Sequence, residues 1–452
     1  HAPLVPGAPA LTPARYAADA SIVCIGMRAS GKTLLGQRLA ARLSRRFLDA
    51  DAVLEQRFPI GEFVREHGWA RFREEETRLL RQLLAEARTG YVVALGGGVI
   101  ETEACRELLT DYARRLGPVV HIVRDEAAIA AFLETSDRPA YGEPLAEVLA
   151  RRAPHYHACS SCEALSGATA EVDADVRALA RALRTPLGAA PAVPMPRSYF
   201  LSLTFPEVRE ALGALREASI GADVLELRVD LLCGTLPTGA VLPPAALARV
   251  REQVAVLRAH SELPLLFTVR SASQGGRFPD EAHDAYFALV ELALRVGCEY
   301  VDVELQRPAA RLAAVAAARG HTRLLVSVHD TTGSLRWDAP ETRALYERGA
   351  ALGDVVKIVG VARTMQDNLA LEAFRASVAG GAPLIALNMG AVGQLSRVLN
   401  DTLTPVTHPA LPARAAPGQL SVREIHTARH LLGLLPARRF VLLGTPIAHS
   451  LS

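Results

Sequence analysis

Charge of one sign, long apolar runs and paired cysteines are all scarce in this 452-residue chain, and each scarcity closes off a class of function. Fifty lysines and arginines stand against 48 aspartates and glutamates, a formal balance of +2. Such a balance gives no reason to expect nucleic acid or an acidic membrane surface as a partner. Half of the residues are hydrophobic, yet charges interrupt them throughout. No run approaches the ~18 residues of a membrane span, so the expectation is a soluble, cytoplasmic protein with no membrane contact. The six cysteines are scattered over the whole length, which suits a reducing compartment better than a disulfide framework. His155, His157, Cys159 and Cys162 lie close together, but no second pair stands at finger or ribbon spacing, and a helix end with small apolar thiols accounts for them. A secretory leader is missing too. Residues 1–17 open without Met, are rich in Pro and Ala, and read as a linker left from a longer chain.

What is present begins with a glycine-rich loop, Gly26-Met27-Arg28-Ala29-Ser30-Gly31-Lys32-Thr33. An apolar run, Ser21–Ile25, precedes it and a helical pattern, Leu34–Leu43, follows, which is the strand–loop–helix setting of a phosphate-binding loop. Backbone N–H groups from Gly26 to Thr33 are placed to cradle phosphate at a helix N-terminus. Lys32 would reach the β and γ oxygens of a nucleoside triphosphate, and the Thr33 hydroxyl would hold Mg²⁺. Downstream, Asp49 and Asp51 have two readings. Asp49 suits a magnesium partner and Asp51 a group that orients an attacking hydroxyl; equally, the two could cap a helix starting at Ala52. Arg73, the run Gly96-Gly97-Gly98, Arg138 and Arg152 complete the pattern, since guanidinium grips carboxylate or phosphate with two parallel hydrogen bonds. Arg71 and Arg151 read as solvated surface charges.

The length suggests about three domains. Four prolines among small residues between Arg184 and Arg197 cannot continue a helix or a ladder, so residues 186–196 read as a linker between a first domain, 18–185, and a second, 197–435. In the second, β-rich apolar runs recur at Tyr199–Thr204, Asp223–Val229, Pro264–Val269, Glu299–Leu305, Arg323–Val328, Asp354–Val359 and Pro383–Met389, with helical patterns between them and a weaker run at Thr402–Thr407. The fold class expected is therefore α/β: a phosphate-loop domain with a parallel sheet, then a (β/α)₈ barrel, with an open doubly wound sheet as the alternative. A barrel places its chemistry at the C-terminal ends of its strands. Glu226, Arg228, Arg270, His329, Lys357 and Asn388 fall there. A lysine buried in such a strand can pair with a carboxylate or, with its pKa lowered, attack a ketone. A histidine on the adjoining strand could then move the proton.

These strings carry two resemblances. The first domain resembles a shikimate kinase in its Gly26–Thr33 loop, Asp49-x-Asp51, Phe72-Arg73, Gly96–Gly98, Arg138 and Arg152. The likeness implies ATP and Mg²⁺ as cofactors, with Asp51, Arg73, Gly97 and Arg152 holding shikimate and Arg138 closing over the nucleotide phosphates. The second domain resembles type I 3-dehydroquinate dehydratase in Glu226-Leu-Arg228-Val-Asp230, Thr268-Val-Arg270, Ser327-Val-His329, Lys357-Ile, Asn388-Met-Gly390, Ser396-Arg397 and Ala416-Pro-Gly-Gln419. That likeness implies Lys357 as the Schiff base, with no further cofactor, and His329 as general acid and base. Arg397 would clamp the carboxylate of 3-dehydroquinate, and Glu226, Arg228, Arg270 and Gln419 would line the site. Gln274 stands where many of these dehydratases carry Glu, and Ala415 where Ser is frequent. Residues 436–452 are similar to the opening of a shikimate dehydrogenase. The order of the three parts resembles that of the fungal pentafunctional arom polypeptides, which implies a homodimer for the longer chain. The regulatory alternative is a quinate-pathway repressor, which resembles the same domains without needing their nucleophiles.

Overall fold

Short apolar runs without polar alternation suit a parallel sheet covered on both faces, and the first part of the chain builds one. The computed structural model describes residues 15–135, 143–167, 171–188, 196–234 and 241–435. Strand β1 (Ile22–Ile25) leads through the glycine loop into α1 (Lys32–Arg42). After β2 (Arg46–Asp49) come α2 (Ala50–Arg57) and α3 (Ile60–Glu86), the latter kinked at Gly68. Then follow β3 (Tyr91–Ala94), α4 (Glu103–Arg115), β4 (Val119–Val123), α5 (Glu126–Glu134), α6 (Leu145–Cys159), β5 (Cys162–Leu165) and α7 (Val172–Arg184). The five strands are parallel in the order β2-β3-β1-β4-β5. The chain order reverses at β1, so the loop that follows it opens into the crevice where such sheets bind ligands. Val23, Ile25, Leu79 and Leu109 fill one face; Ile22, Cys24, Leu35 and Leu179 fill the other.

The second part alternates strand and helix throughout: β6 (Tyr199–Leu203), α8 (Val208–Ala218), β7 (Val224–Arg228), α9 (Pro244–His260), β8 (Leu265–Thr268), α10 (His283–Arg295), β9 (Tyr300–Glu304) and α11 (Ala309–Ala318). It continues with β10 (Arg323–His329), α12 (Pro340–Leu352), β11 (Val355–Val361), α13 (Met365–Ser377), β12 (Leu384–Met389), α14 (Gln394–Leu399), β13 (Thr404–Val406) and α15 (Val422–Leu431). The weak run at Thr402–Thr407 is thus a strand of three residues, paired with β6. One parallel ladder passes through all eight strands from β12 to β13, and the architecture is a (β/α)₈ barrel closed by side chains at one seam. No β12–β13 ladder forms among the described residues. Instead the fully buried Asn400 accepts from the Ala386 amide at 3.3 Å and donates to the Thr404 hydroxyl at 2.8 Å. Phe200, Val224, Leu266, Tyr300, Leu325, Val355, Ile385 and Leu387 pack the lumen, while a larger cluster fills the space between strands and helices.

Arg138 and the tail 436–452 lie outside the described residues, as do 1–14 and most of the proline-rich stretch between the two sheets.

Candidate active sites

In the glycine loop, Gly31 takes φ 88° as the N-cap of α1 and Gly26 takes φ 149°, where a Cβ would stand 2.5 Å from the Ile122 carbonyl. Only glycine tolerates both positions. The Lys32 ammonium folds back onto the carbonyls of Gly26 at 2.9 Å and Met27 at 2.7 Å. Thr33 donates to Asp49 at 2.7 Å, so two hard oxygen donors meet at the start of α1, a set that fits Mg²⁺. Asp49 also caps α2, accepting from the amides of Asp51 and Ala52. The helix begins at Ala50 rather than Ala52, because the Asp49 side chain satisfies the first free N–H groups. Asp51 therefore sits in the first turn, not in the cap.

The sequence-expected acceptor residues are brought together from three elements. Arg73 on α3 bonds Glu76 at 2.6 Å and Glu101 at 3.2 Å. Arg152 on α6 reaches Glu101 at 2.7 Å and the Gly97 carbonyl at 3.2 Å, and Tyr156, one turn on, donates to that same carbonyl at 2.5 Å. The three glycines let these groups converge. A Cβ on Gly96 would meet Asp51 Oδ1 at 2.7 Å, and one on Gly97 would meet the Arg28 amide at 2.7 Å. Burial alone would raise the Glu101 carboxyl, but hydrogen bonds from Arg151 and Arg152 hold it below the usual range. Arg151 is exposed as expected, though paired with Glu101 and Glu143. The result is a cluster of paired arginines and carboxylates beside the glycine loop.

Inside the barrel, alternation along each strand decides which side chains face the lumen. Lys357 on β11 is buried, with its ammonium 3.8 Å from Asp302 on β9 and 5.2 Å from the Phe200 ring. Burial pushes its pKa down to about 8; Asp302 and Glu226 oppose that, while Arg270 and Arg228 add to it. Arg270 bonds Asp302 at 2.5 Å, Ser327 at 2.9 Å and Glu304 at 3.3 Å. Glu226 accepts from Thr268 at 2.8 Å, and Arg228 makes a two-pronged pair with Asp230 at 2.8 Å. His329 places its backbone N–H and Nδ1 on the Gln274 carbonyl oxygen at 2.9 and 3.2 Å. This leaves Nε2 as the basic nitrogen. Burial, then Arg270, Lys357, Arg228 and Arg397, hold the imidazole well below its ordinary pKa, so it is neutral.

Arg397 on α14 is 1% exposed, and among the described residues its side chain makes one long hydrogen bond, to the Pro417 carbonyl at 3.5 Å. Its Nε and Nη1 have no partner among the described residues, and burial lowers its pKa to about 10. A buried guanidinium in that state is costly unless a ligand anion completes it. Gln419 is tied to Val406 at 3.0 Å and to the Ala415 amide at 3.0 Å, on the loop nearest Arg397. Asn388 departs from the expected rim. It follows Leu387, whose side chain fills the lumen, so it faces outward and bonds Trp337, Asn368 and the Asp367 carbonyl in the helix layer.

Residues 199–436 match the family model for type I 3-dehydroquinase, over half of the chain. The chain belongs to that family. Residues 28–183 match the model for shikimate kinase. The pentafunctional AROM polypeptide of Malassezia globosa is 57% identical over 439 residues, covering 97% of this chain and 26% of the relative. That of Mycosarcoma maydis is 46% identical over 481 residues, covering 98% and 28%. The chain thus spans about a quarter of the length of these curated relatives. A solved structure of dehydroquinate dehydratase and shikimate dehydrogenase from S. pombe AroM superimposes with a TM-score of 0.53 at 41% identity, over 56% of this chain and 48% of that one.

Within the 3-dehydroquinase barrel, sequence reasoning missed Asp302 and Glu304. The signal was available, because two carboxylates at i and i+2 in the apolar run Tyr300-Val-Asp-Val-Glu must share one face of a strand. Glu101, which gathers Arg73, Arg151 and Arg152, gave no comparable signal; its partners lie 28, 50 and 51 residues away.

Proposed function

We propose that the chain carries two reaction centres of one biosynthetic route: ATP-dependent phosphorylation of shikimate at its 3-hydroxyl, and dehydration of 3-dehydroquinate to 3-dehydroshikimate. The observation that carries the reading is Lys357, an amine buried 3.8 Å from the Asp302 carboxylate and held near pKa 8. As the free base it would attack the ketone carbon, and loss of water would give an iminium that draws electrons from the neighbouring carbon. Nε2 of the neutral His329 would take the proton from that carbon. The same nitrogen would return it to the departing hydroxyl, which leaves as water, and hydrolysis of the imine frees Lys357. Arg397 supplies the unmet donors that a substrate carboxylate needs.

In the first domain the chain's own part is positioning and charge. Bound ATP would supply the phosphoryl group, and Mg²⁺ would supply positive charge against its phosphates. Lys32 would exchange the carbonyls of Gly26 and Met27 for phosphate, Thr33 and Asp49 would hold the metal, and Arg73 and Arg152 would fix the acceptor carboxylate. Asp51 would orient the attacking hydroxyl, and Arg138 would close over the nucleotide. The reading includes a cytoplasmic setting and a homodimer of the longer polypeptide. The two curated relatives named above are pentafunctional AROM polypeptides, and the presence of Lys32, His329 and Lys357 favours catalysis over the repressor alternative. Paired assays on the whole chain test it. Lys32→Ala should lower phosphorylation of shikimate at least ~10²-fold and leave dehydration intact, and Lys357→Met should do the reverse. Loss of both activities from either change would contradict two separate centres.

A further inference from the structure

Helix α6 has two working faces. One turns Arg152 and Tyr156 onto the Gly97 carbonyl. The other turns His157 toward the barrel, 3.1 Å from Glu291 on α10 and 3.8 Å from Glu163 on β5. Arg295, one turn beyond Glu291, donates to the Ser160 carbonyl and hydroxyl, both at 2.6 Å, just past the end of α6. That Ser160 hydroxyl in turn donates to the Tyr156 carbonyl at 2.7 Å. Glu163 closes the cluster, accepting from Arg251 on α9 at 2.9 Å and from Arg295 at 3.4 Å. Under it His121 stacks on the Tyr156 ring, centroids 4.8 Å apart and planes 13° apart. Glu163 and Arg295 are nearly buried, so these pairs are shielded from salt and hold their geometry better than surface pairs. Hydrogen bonds to Glu163 and Glu291 raise the His157 pKa, so its imidazolium is favoured.

We propose that Glu291 and Arg295, residues of the barrel, are positioning residues for the acceptor site of the first domain, holding the last turn of α6 where Arg152 and Tyr156 meet Gly97. The proposal rests on the reading of Arg152 and Gly97 as acceptor-binding groups. The chain of contacts is unbroken: Arg295 to Ser160, Ser160 to the Tyr156 backbone, the Tyr156 hydroxyl to Gly97. Among the described residues Glu291 and Arg295 make their polar side-chain contacts with the first domain and none with the dehydratase lumen. A misplacement of about an ångström in substrate-binding groups is enough to cost a large factor in rate or affinity. The barrel therefore contributes to shikimate binding without lending a group that touches the substrate.

Steady-state kinetics on the whole chain test this, with dehydration of 3-dehydroquinate in the same sample as the check on folding. Glu291→Gln and Arg295→Met should each raise the KM for shikimate about five- to tenfold. The KM for ATP and the dehydratase kcat/KM should stay within twofold. Glu291→Asp and Arg295→Lys should recover most of the loss. In the His157→Gln background, Glu291→Gln should add little, since the two act through one bond. A shikimate KM within twofold of the parent in both Glu291→Gln and Arg295→Met would overturn the proposal, and so would equal losses in shikimate and ATP affinity. Arg152→Ala separates the two levels of the argument. If it leaves the shikimate KM unchanged, the acceptor-site reading itself fails; if it raises the KM while the α10 variants do not, only the role of the barrel fails.

Discussion

In the proposed reaction Lys357 attacks only as the free amine, so its ionisation should be visible in the rate. Burial lowers its pKa to about 8, which means that the reactive form is the minor one below that pH and dominates above it. The dehydratase kcat/KM should climb about tenfold per unit between pH 6 and 7.5 and level off above about 8. His329 is already neutral across that range, so no separate limb should appear near the usual histidine pKa. Arg397 offers a second test at this scale. Its Nε and Nη1 have no partner among the described residues, hence Arg397→Met removes a desolvated charge and loses little from the protein itself. The variant should unfold at the same temperature or higher, while its KM for 3-dehydroquinate rises on the order of 10²-fold, a loss of about 3 kcal/mol in substrate binding. The chemical residues were legible because ionisable groups in apolar strands are costly. Their partners were less so: Asp302 and Glu304 obey the same rule and went unread, and Glu101 meets its arginines only through tertiary structure.

At the scale of elements, strands and glycines were easy to place and orientation was not. The apolar runs give all eight barrel strands, but period two must be counted to see that Asn388 looks outward while Lys357 and Ile385 look in. The seam was not legible, since nothing in the sequence says that Asn400 replaces a ladder between β12 and β13. Asn400→Ala should leave the Ala386 amide and the Thr404 hydroxyl short of a partner and destabilise the barrel by about 2–3 kcal/mol, measured as a fall in the denaturant midpoint with an unchanged slope. Gly97→Ala tests the other sheet. Its Cβ would stand 2.7 Å from the Arg28 amide, so the glycine loop must shift. Phosphorylation of shikimate should fall more than ~10-fold with dehydration unaffected.

For the whole molecule, the glycine loop and the recurring apolar runs foretold two sheets of different type but not how their surfaces meet. The second face of α6 and the pairing of α7 with α9 join distant stretches of chain, and the ion pairs Arg251–Glu163 and Arg295–Glu163 join residues 88 and 132 positions apart. No local pattern records them. His157 shows the difficulty: read along the chain it belonged to a group of histidines and cysteines, whereas in the fold it answers two glutamates. The central claim, a dehydratase working through Lys357, has a direct measurement. The whole chain is incubated with 3-dehydroquinate and sodium borohydride, then digested and analysed by mass spectrometry. A reduced substrate adduct confined to the peptide bearing Lys357, and lost in Lys357→Met, is the result expected; a folded, substrate-exposed protein with no adduct at Lys357 would contradict it.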